Sequence, residues 1–192
     1  FRRLSDGQRL RIGGHEWRVV IGRGHSPEHA CLVDHDRHLL ISGDQVLPRI
    51  SSNVSVFPTE PEANPLGDWL ESIATLRATL PDDLLVLPSH GEPFLGLHAR
   101  LDRLATSHGR GLDRLRRTLA EPRRVVDVFG ALFARAIDGR SELLGMATGE
   151  SLAHLSYLVE CGDVRRTLAA DGVWRYQVVH PAQASPTAEP IA

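Results

Sequence analysis

Three short apolar runs, each handing one histidine or aspartate to the loop behind it, constrain this chain more than any other feature. Residues 19–21 lead into Gly24-His25, residues 39–42 into Gly43-Asp44, and residues 84–87 into Ser89-His90. Runs of this length bounded by Gly and Pro read as strands. A sheet that receives one side chain from each of several strand ends gathers them at one rim. The expectation is an α/β scaffold on which His25, Asp44 and His90 converge as metal ligands. Neutral imidazole and carboxylate suit zinc, and a carboxylate has two oxygens with which to bridge two cations. Asp44 is therefore the expected bridge and the expected catalytic residue. Singly, a loop histidine or an aspartate after glycine is ordinary turn chemistry; the combination carries the reading.

The surrounding pattern is consistent with such a scaffold. Runs 9–12 and 15–21 flank Gly13-Gly14, a hairpin signal, and 30–33 pairs with 39–42 across the polar turn 34–37. Residues 48–65 have no period and several turn formers, which predicts a long loop. Asn64 is a helix cap with Pro65 at the first helical position, Leu66, Trp69, Leu70, Ile73, Leu76 and Leu80 repeat at helical spacing, and Pro81 stops the helix. The next run, LLVLP, is apolar on both faces, as in a central strand covered by helices on either side.

From residue 97 the texture changes. Leu97, Leu101, Leu104, His108, Leu112, Leu115 and Leu119 mark one face of a long helix, weakened at Gly109 and Gly111 and ended by Pro122. Residues 125–137 read as a second helix. Residues 143–160 read as a third, with Leu152, Leu155, Leu158 and Val159 inward and Glu150, His154 and Glu160 outward. Extended pieces 164–168 and 174–179 then flank Ala170-Asp171-Gly172. Three helices and a hairpin form a winged-helix arrangement. The expected division is 1–96 for the α/β unit, 97–180 for a small winged-helix-like α+β unit, and 181–192 for a disordered Pro/Ala/Ser-rich tail.

Composition excludes some classes. At 192 residues and 42% hydrophobic content the chain can bury a core. A net charge of -2 gives no overall bias toward nucleic acid or membrane, and no apolar run approaches the roughly 20 residues of a membrane span. Cys31 and Cys161 match no metal or disulfide spacing and read as reduced thiols in a cytoplasm, Cys31 as a small buried hydrophobe. The rival class is a nucleic-acid binder: residues 100–124 are rich in Arg, yet the third helix, in the recognition position, carries none to read base edges.

GHSPEH at 24–29, ISGDQVL at 41–47 and LPSHGEP at 87–93 resemble the later metal-binding motifs of the metallo-β-lactamase superfamily, in their usual order. The following unit resembles the winged-helix domain attached to lactamase-like hydrolases, so the likeness spans roughly residues 5 to 180. It implies an αββα sandwich in which His25 binds the first metal, Asp44 bridges and His90 binds the second. Two zinc ions are implied, with iron or manganese as alternatives, and a metal-bound hydroxide attacking a small-molecule thioester or related acyl ester. A phosphodiester or RNA is the second substrate class. Asp at the bridge is the habit of the glyoxalase II and nuclease-like branches.

The superfamily's first motif, His-x-His-x-Asp-His, is absent; His35-Asp36-Arg37-His38 has the wrong spacing and reads as turn surface. The chain is thus expected to be a C-terminal portion, inactive alone, with one side of its sheet exposed. Arg49, Ser52 and Asn53, with Ser51, are the candidate substrate contacts, against the alternative of an ordinary polar loop. Glu92 is expected to orient a loop, and His15, His29, His98, His108, His154 and His180 to be structural or exposed. Homodimerisation is left open.

Overall fold

The computed structural model describes residues 3–134, 136–137 and 141–179; the expected tail at 181–192 lies outside them. Strands β1 (Arg9–Ile12), β2 (His15–Gly22), β3 (His29–Asp34) and β4 (Leu39–Gly43) form an antiparallel meander. Helix α1 (Pro65–Thr79) crosses over to β5 (Leu85–Pro88), which pairs parallel with β4 and completes a five-stranded sheet in sequence order. A parallel neighbour requires such a crossover, where antiparallel strands need only a turn.

Alternation along the strands sorts the two faces. Val20, Cys31, Val33, Leu40 and Val86 point to one side and join Leu66, Trp69, Ile73 and Leu76 of α1 in a single hydrophobic cluster. The opposite face presents Ile21, Leu32, Leu39, Leu85 and Leu87 half-buried and Ile41 38% exposed, while Trp17 and Val19 of β2 are buried there. Toward β4 and β5 this side of the sheet is therefore only partly covered within the described residues. β5 is the last strand rather than a central one, because its outer neighbour is a single bridge between Val86 and Phe94.

The local punctuation works as the residue types dictate. Asn64 caps α1 by accepting from the Gly67 amide at 3.1 Å, with Pro65 beside it. Helix α2 (Leu97–Thr118) runs unbroken through Gly109 and Gly111 and buries Leu97, Leu101, Leu104, His108, Leu112 and Leu115. The expected helix over 125–137 is shorter. A 3₁₀ turn at Val125–Val128 leads into the single-turn α3 (Phe129–Leu132), and Phe133 leaves it with an extended backbone. The β-branched residues at 125, 126 and 128 and Gly130 are weak helix formers, so the apolar periodicity overstated that element.

Helix α4 (Ser141–Glu160) and the hairpin β6 (Val164–Leu168) and β7 (Trp174–Val178) complete the chain. The hydrophobic cluster continues without a break from the sheet through α1, α2 and α4 to Val164 and Tyr176. The face of α4 differs from expectation: His154 is buried rather than outward, and Glu150 is half-buried. No helix among the described residues is long and apolar enough to cross a membrane.

Candidate metal centre

His25 follows β2, Asp44 follows β4 and His90 follows β5, and all three arrive at one rim of the sheet. Asp44 Oδ2 lies 3.6 Å from His25 Nε2, and Asp44 Oδ1 lies 3.5 Å from His90 Nε2. Two donors on one tetrahedral zinc, each bonded at 2.0–2.2 Å, stand about 3.4 Å apart. Each imidazole thus has the spacing to share an ion with a different oxygen of the same carboxylate. Among the described residues no group of three or more His, Cys, Asp or Glu side chains is placed to hold a metal ion.

The donor chemistry fits a metal as well. His25 Nδ1 is 2.8 Å from the Asn53 carbonyl, which can only accept, so Nδ1 carries a proton and Nε2 is the nitrogen turned toward Asp44. A histidine fixed through its second nitrogen is the usual support of a metal ligand. Ser89 donates its hydroxyl to Asp44 Oδ1. That bond, with His25 and His90 nearby, holds the Asp44 carboxyl below the usual range against the opposing effect of burial, so it stands ready as an anion. Ser52 donates to the Asp44 backbone carbonyl.

Two glycines make this geometry possible. Gly24 has φ +100°, and a Cβ there would collide with Trp69 Cβ and meet the Pro65 carbonyl at 2.5 Å, so only glycine lets the turn before His25 lie against α1. Gly43 has φ +53°, and a Cβ there would collide with His29 Nε2. His29 thereby packs beside the centre, its ring 6.2 Å from that of His25, with a pKa lowered by burial and then by His25.

The loop after Asp44 is tied to the helices that follow. Arg100, buried on α2, donates to the carbonyls of Leu47 and Ile50 at 2.5 and 2.7 Å. Ser51 Oγ is 3.0 Å from His108 Nε2, His108 Nδ1 is 3.1 Å from His154 Nε2, and His154 Nδ1 is 2.8 Å from the Glu150 carbonyl. The last carbonyl only accepts, so the proton sits on His154 Nδ1. His154 Nε2 must then accept from His108 Nδ1, which leaves His108 Nε2 to accept from Ser51. Burial, then His154, pushes the His108 pKa down to about 3, and burial lowers that of His154. Asn53 Nδ2 donates to Glu150 at 3.2 Å, and burial raises the Glu150 carboxyl to about 7 despite that bond.

The candidate substrate contacts separate accordingly. Ser52 and Asn53 are engaged in holding Asp44 and His25, whereas Arg49 is exposed, as is Glu92, which was expected to orient a loop. His108, His154, Glu150 and Arg100 were not marked as supports of the centre by sequence reasoning; the His108 position on the apolar stripe of α2 was its one visible sign. Of the Arg-rich stretch, Arg100 braces the loop, Arg116 pairs with Asp163 at 2.7 Å and Arg124 with Asp127 at 2.8 Å.

A family model described as metallo-beta-lactamase superfamily matches residues 2–90, and one described as metallo-beta-lactamase-like, C-terminal domain, matches residues 112–179. A beta-lactamase domain protein from Burkholderia ambifaria is 44% identical, with a TM-score of 0.89 over 93% of this chain and 52% of its own. A metallo-beta-lactamase family protein from Thermus thermophilus is 30% identical, with a TM-score of 0.78 over 92% of this chain and 54% of its own. A curated relative, the atrochrysone carboxyl ACP thioesterase of Aspergillus fumigatus, is 30% identical over 62% of this chain and 25% of that protein. The chain spans about half the length of the two solved structures and a quarter of the fungal protein.

Proposed function

From a chain that belongs to the metallo-beta-lactamase superfamily over its two matched segments, we propose part of a metal-dependent hydrolase of thioesters or related acyl esters. His25, His90 and Asp44 would hold a pair of divalent ions, the imidazoles through their Nε2 atoms and Asp44 through its carboxylate. Zinc is the first choice for imidazole and carboxylate donors, with iron or manganese as alternatives. Such ions, when bound, supply Lewis acidity and a nucleophile active near neutral pH. In the net reaction water adds its oxygen to the acyl carbon, the carbon–sulfur bond breaks, and the products are a carboxylic acid and a thiol. This chain's residues orient the centre: Asn53 fixes the His25 tautomer, while Ser89 and Ser52 hold Asp44.

The observation that carries the proposal is the placement of both Asp44 oxygens at metal-sharing distance from two imidazoles. These three side chains would be part of the ligand set of such a pair, and the chain spans about half the length of the solved structures it matches. The segment from α2 to β7 is read as a winged-helix-like unit that braces the site loop rather than as a reader of nucleic acid.

The thioester class is supported by the thioesterase activity for which the Aspergillus fumigatus relative is named, and it is brought to this chain as part of the proposal. Metal analysis of the full-length protein, followed by a panel of thioesters, lactams and RNA, tests it. Two ions per protein and preferential thioester cleavage are expected. A metal-free protein, or one that cleaves only RNA, overturns the reading.

A further inference from the structure

Between the loop that follows Asn53 and helix α4 lies an open groove of about 770 Å³, within the roughly 300–1,000 Å³ of small-molecule sites. Val56 and Phe57 of the loop, Leu144, Met146 and Leu152 of α4, and Trp174 of β7 form its walls. Phe57, Met146, Trp174 and Leu144 are 57, 50, 43 and 39% exposed. Large apolar side chains left in water are normally scattered singly, and their concentration in one depression marks a binding surface.

The groove is built rather than incidental. Its wall is pinned where the Val56 amide donates to the Gly149 carbonyl at 3.0 Å. Gly149 admits this approach because a Cβ there would lie 2.8 Å from Ser55 Cβ. Arg166, which lies 4.4 Å over the Trp174 ring and pairs with Glu62 at 3.0 Å, lines it. Asn53, the residue whose carbonyl fixes His25, lines it as well. The apolar walls therefore adjoin the His25–Asp44–His90 cluster through one shared residue. The one cation among its described lining residues, Arg166, is already paired with Glu62, which disfavours phosphate.

We infer that this groove seats the apolar acyl part of the substrate, with the scissile carbonyl at the His25–Asp44–His90 end and the thiol leaving toward solvent. The inference rests on the thioester reading above and adds the direction in which the substrate lies and the chemistry it must carry. A short polar acyl group would leave these walls wet, whereas each buried methylene favours binding about fourfold.

The test uses full-length, metal-loaded protein and a series of straight-chain acyl thioesters from acetyl to dodecanoyl. kcat/KM should rise about fourfold per methylene over several carbons, and Met146→Glu, with Phe57→Ser as a second exposed-site variant, should flatten the series. A separate arm measures cis-parinaric acid binding to an Asp44→Asn protein, in which Met146→Glu should abolish the fluorescence gain. Turnover independent of chain length overturns the groove assignment and leaves the thioester reading standing. If no thioester is cleaved, the thioester reading fails and the fatty-acid arm decides the groove alone. Saturable binding lost in Met146→Glu supports it, and no binding, or binding indifferent to the variant, overturns it.

Discussion

Replacing His108 with leucine should destabilise the protein at pH 7.5 and leave it nearly as stable as the parent at pH 5. At the higher pH both buried histidines are neutral, and His108 Nδ1 supplies the proton that His154 Nε2 accepts at 3.1 Å. Leucine removes that donor and orphans a buried acceptor, which costs about 2 kcal/mol; Ser51, which is exposed, can turn to water. Acid reverses the advantage. The His108 pKa is about 3 in the folded chain against 6.5 in the unfolded one, so below pH 6.5 the unfolded state binds the proton and the folded state does not.

At pH 5 that difference of about 1.5 pH units costs the parent about 2 kcal/mol. Glu150 runs the other way: its folded value near 7 lies above the ordinary 4.5, so its contribution to stability is present at low pH and lost as pH rises to 7. Because Glu150 remains in both proteins, the difference between the two urea-unfolding free energies reports on the His108–His154 pair. That difference should shrink from about 2 kcal/mol at pH 7.5 to near zero at pH 5. A gap of the same size at both values would refute a buried, neutral His108.

Other outcomes follow from the same geometry. Ser52→Ala leaves the Asp44 carbonyl without its donor and should weaken zinc binding by about 10–100-fold, read by chelator competition, together with a loss of about 1–2 kcal/mol in urea unfolding. Gly24→Ala forces a Cβ at φ +100° into Trp69 and should cost more than about 2 kcal/mol in a urea titration, together with weaker metal binding because His25 is displaced. Cys31, buried and with its thiol pushed up to about 12, should resist a thiol reagent at pH 8 in the native state, while the exposed Cys161 reacts at once. Equal rates for both thiols would mean that the sheet opens readily.

The strands, α1, α2, α4 and the final hairpin were legible because each apolar run ends at a residue with one local meaning: Gly13-Gly14, Asn64-Pro65, Pro81, Gly162. The convergence of His25, Asp44 and His90 was legible for the same reason, since each follows a strand end. The supports of the site were not. Ser51, His108 and His154 are separated by 57 and 46 residues, and no periodicity relates a loop serine to two helices. On α4 the buried face runs through Ala147, Ser151, His154, Leu155 and Leu158. Its polar members disguised it and led the sequence to place His154 and Glu150 outside. β5 misled in the opposite sense, because a strand apolar on both faces reads as central although its outer neighbour is only the single bridge from Val86 to Phe94.

The fastening of the loop after Asp44 to α2 and α4 has a practical consequence for chimeras. Exchanging residues 97–179 for the corresponding segment of a relative would import foreign partners for Leu47, Ser51, Asn53 and Val56. A hybrid joined at the start of α2 should fold poorly around its ligands, whereas one that also transplants 47–57 keeps both halves of every such contact from a single parent. The natural unit of exchange is thus discontinuous in the chain, and recombination cut at the apparent border would break what it means to preserve.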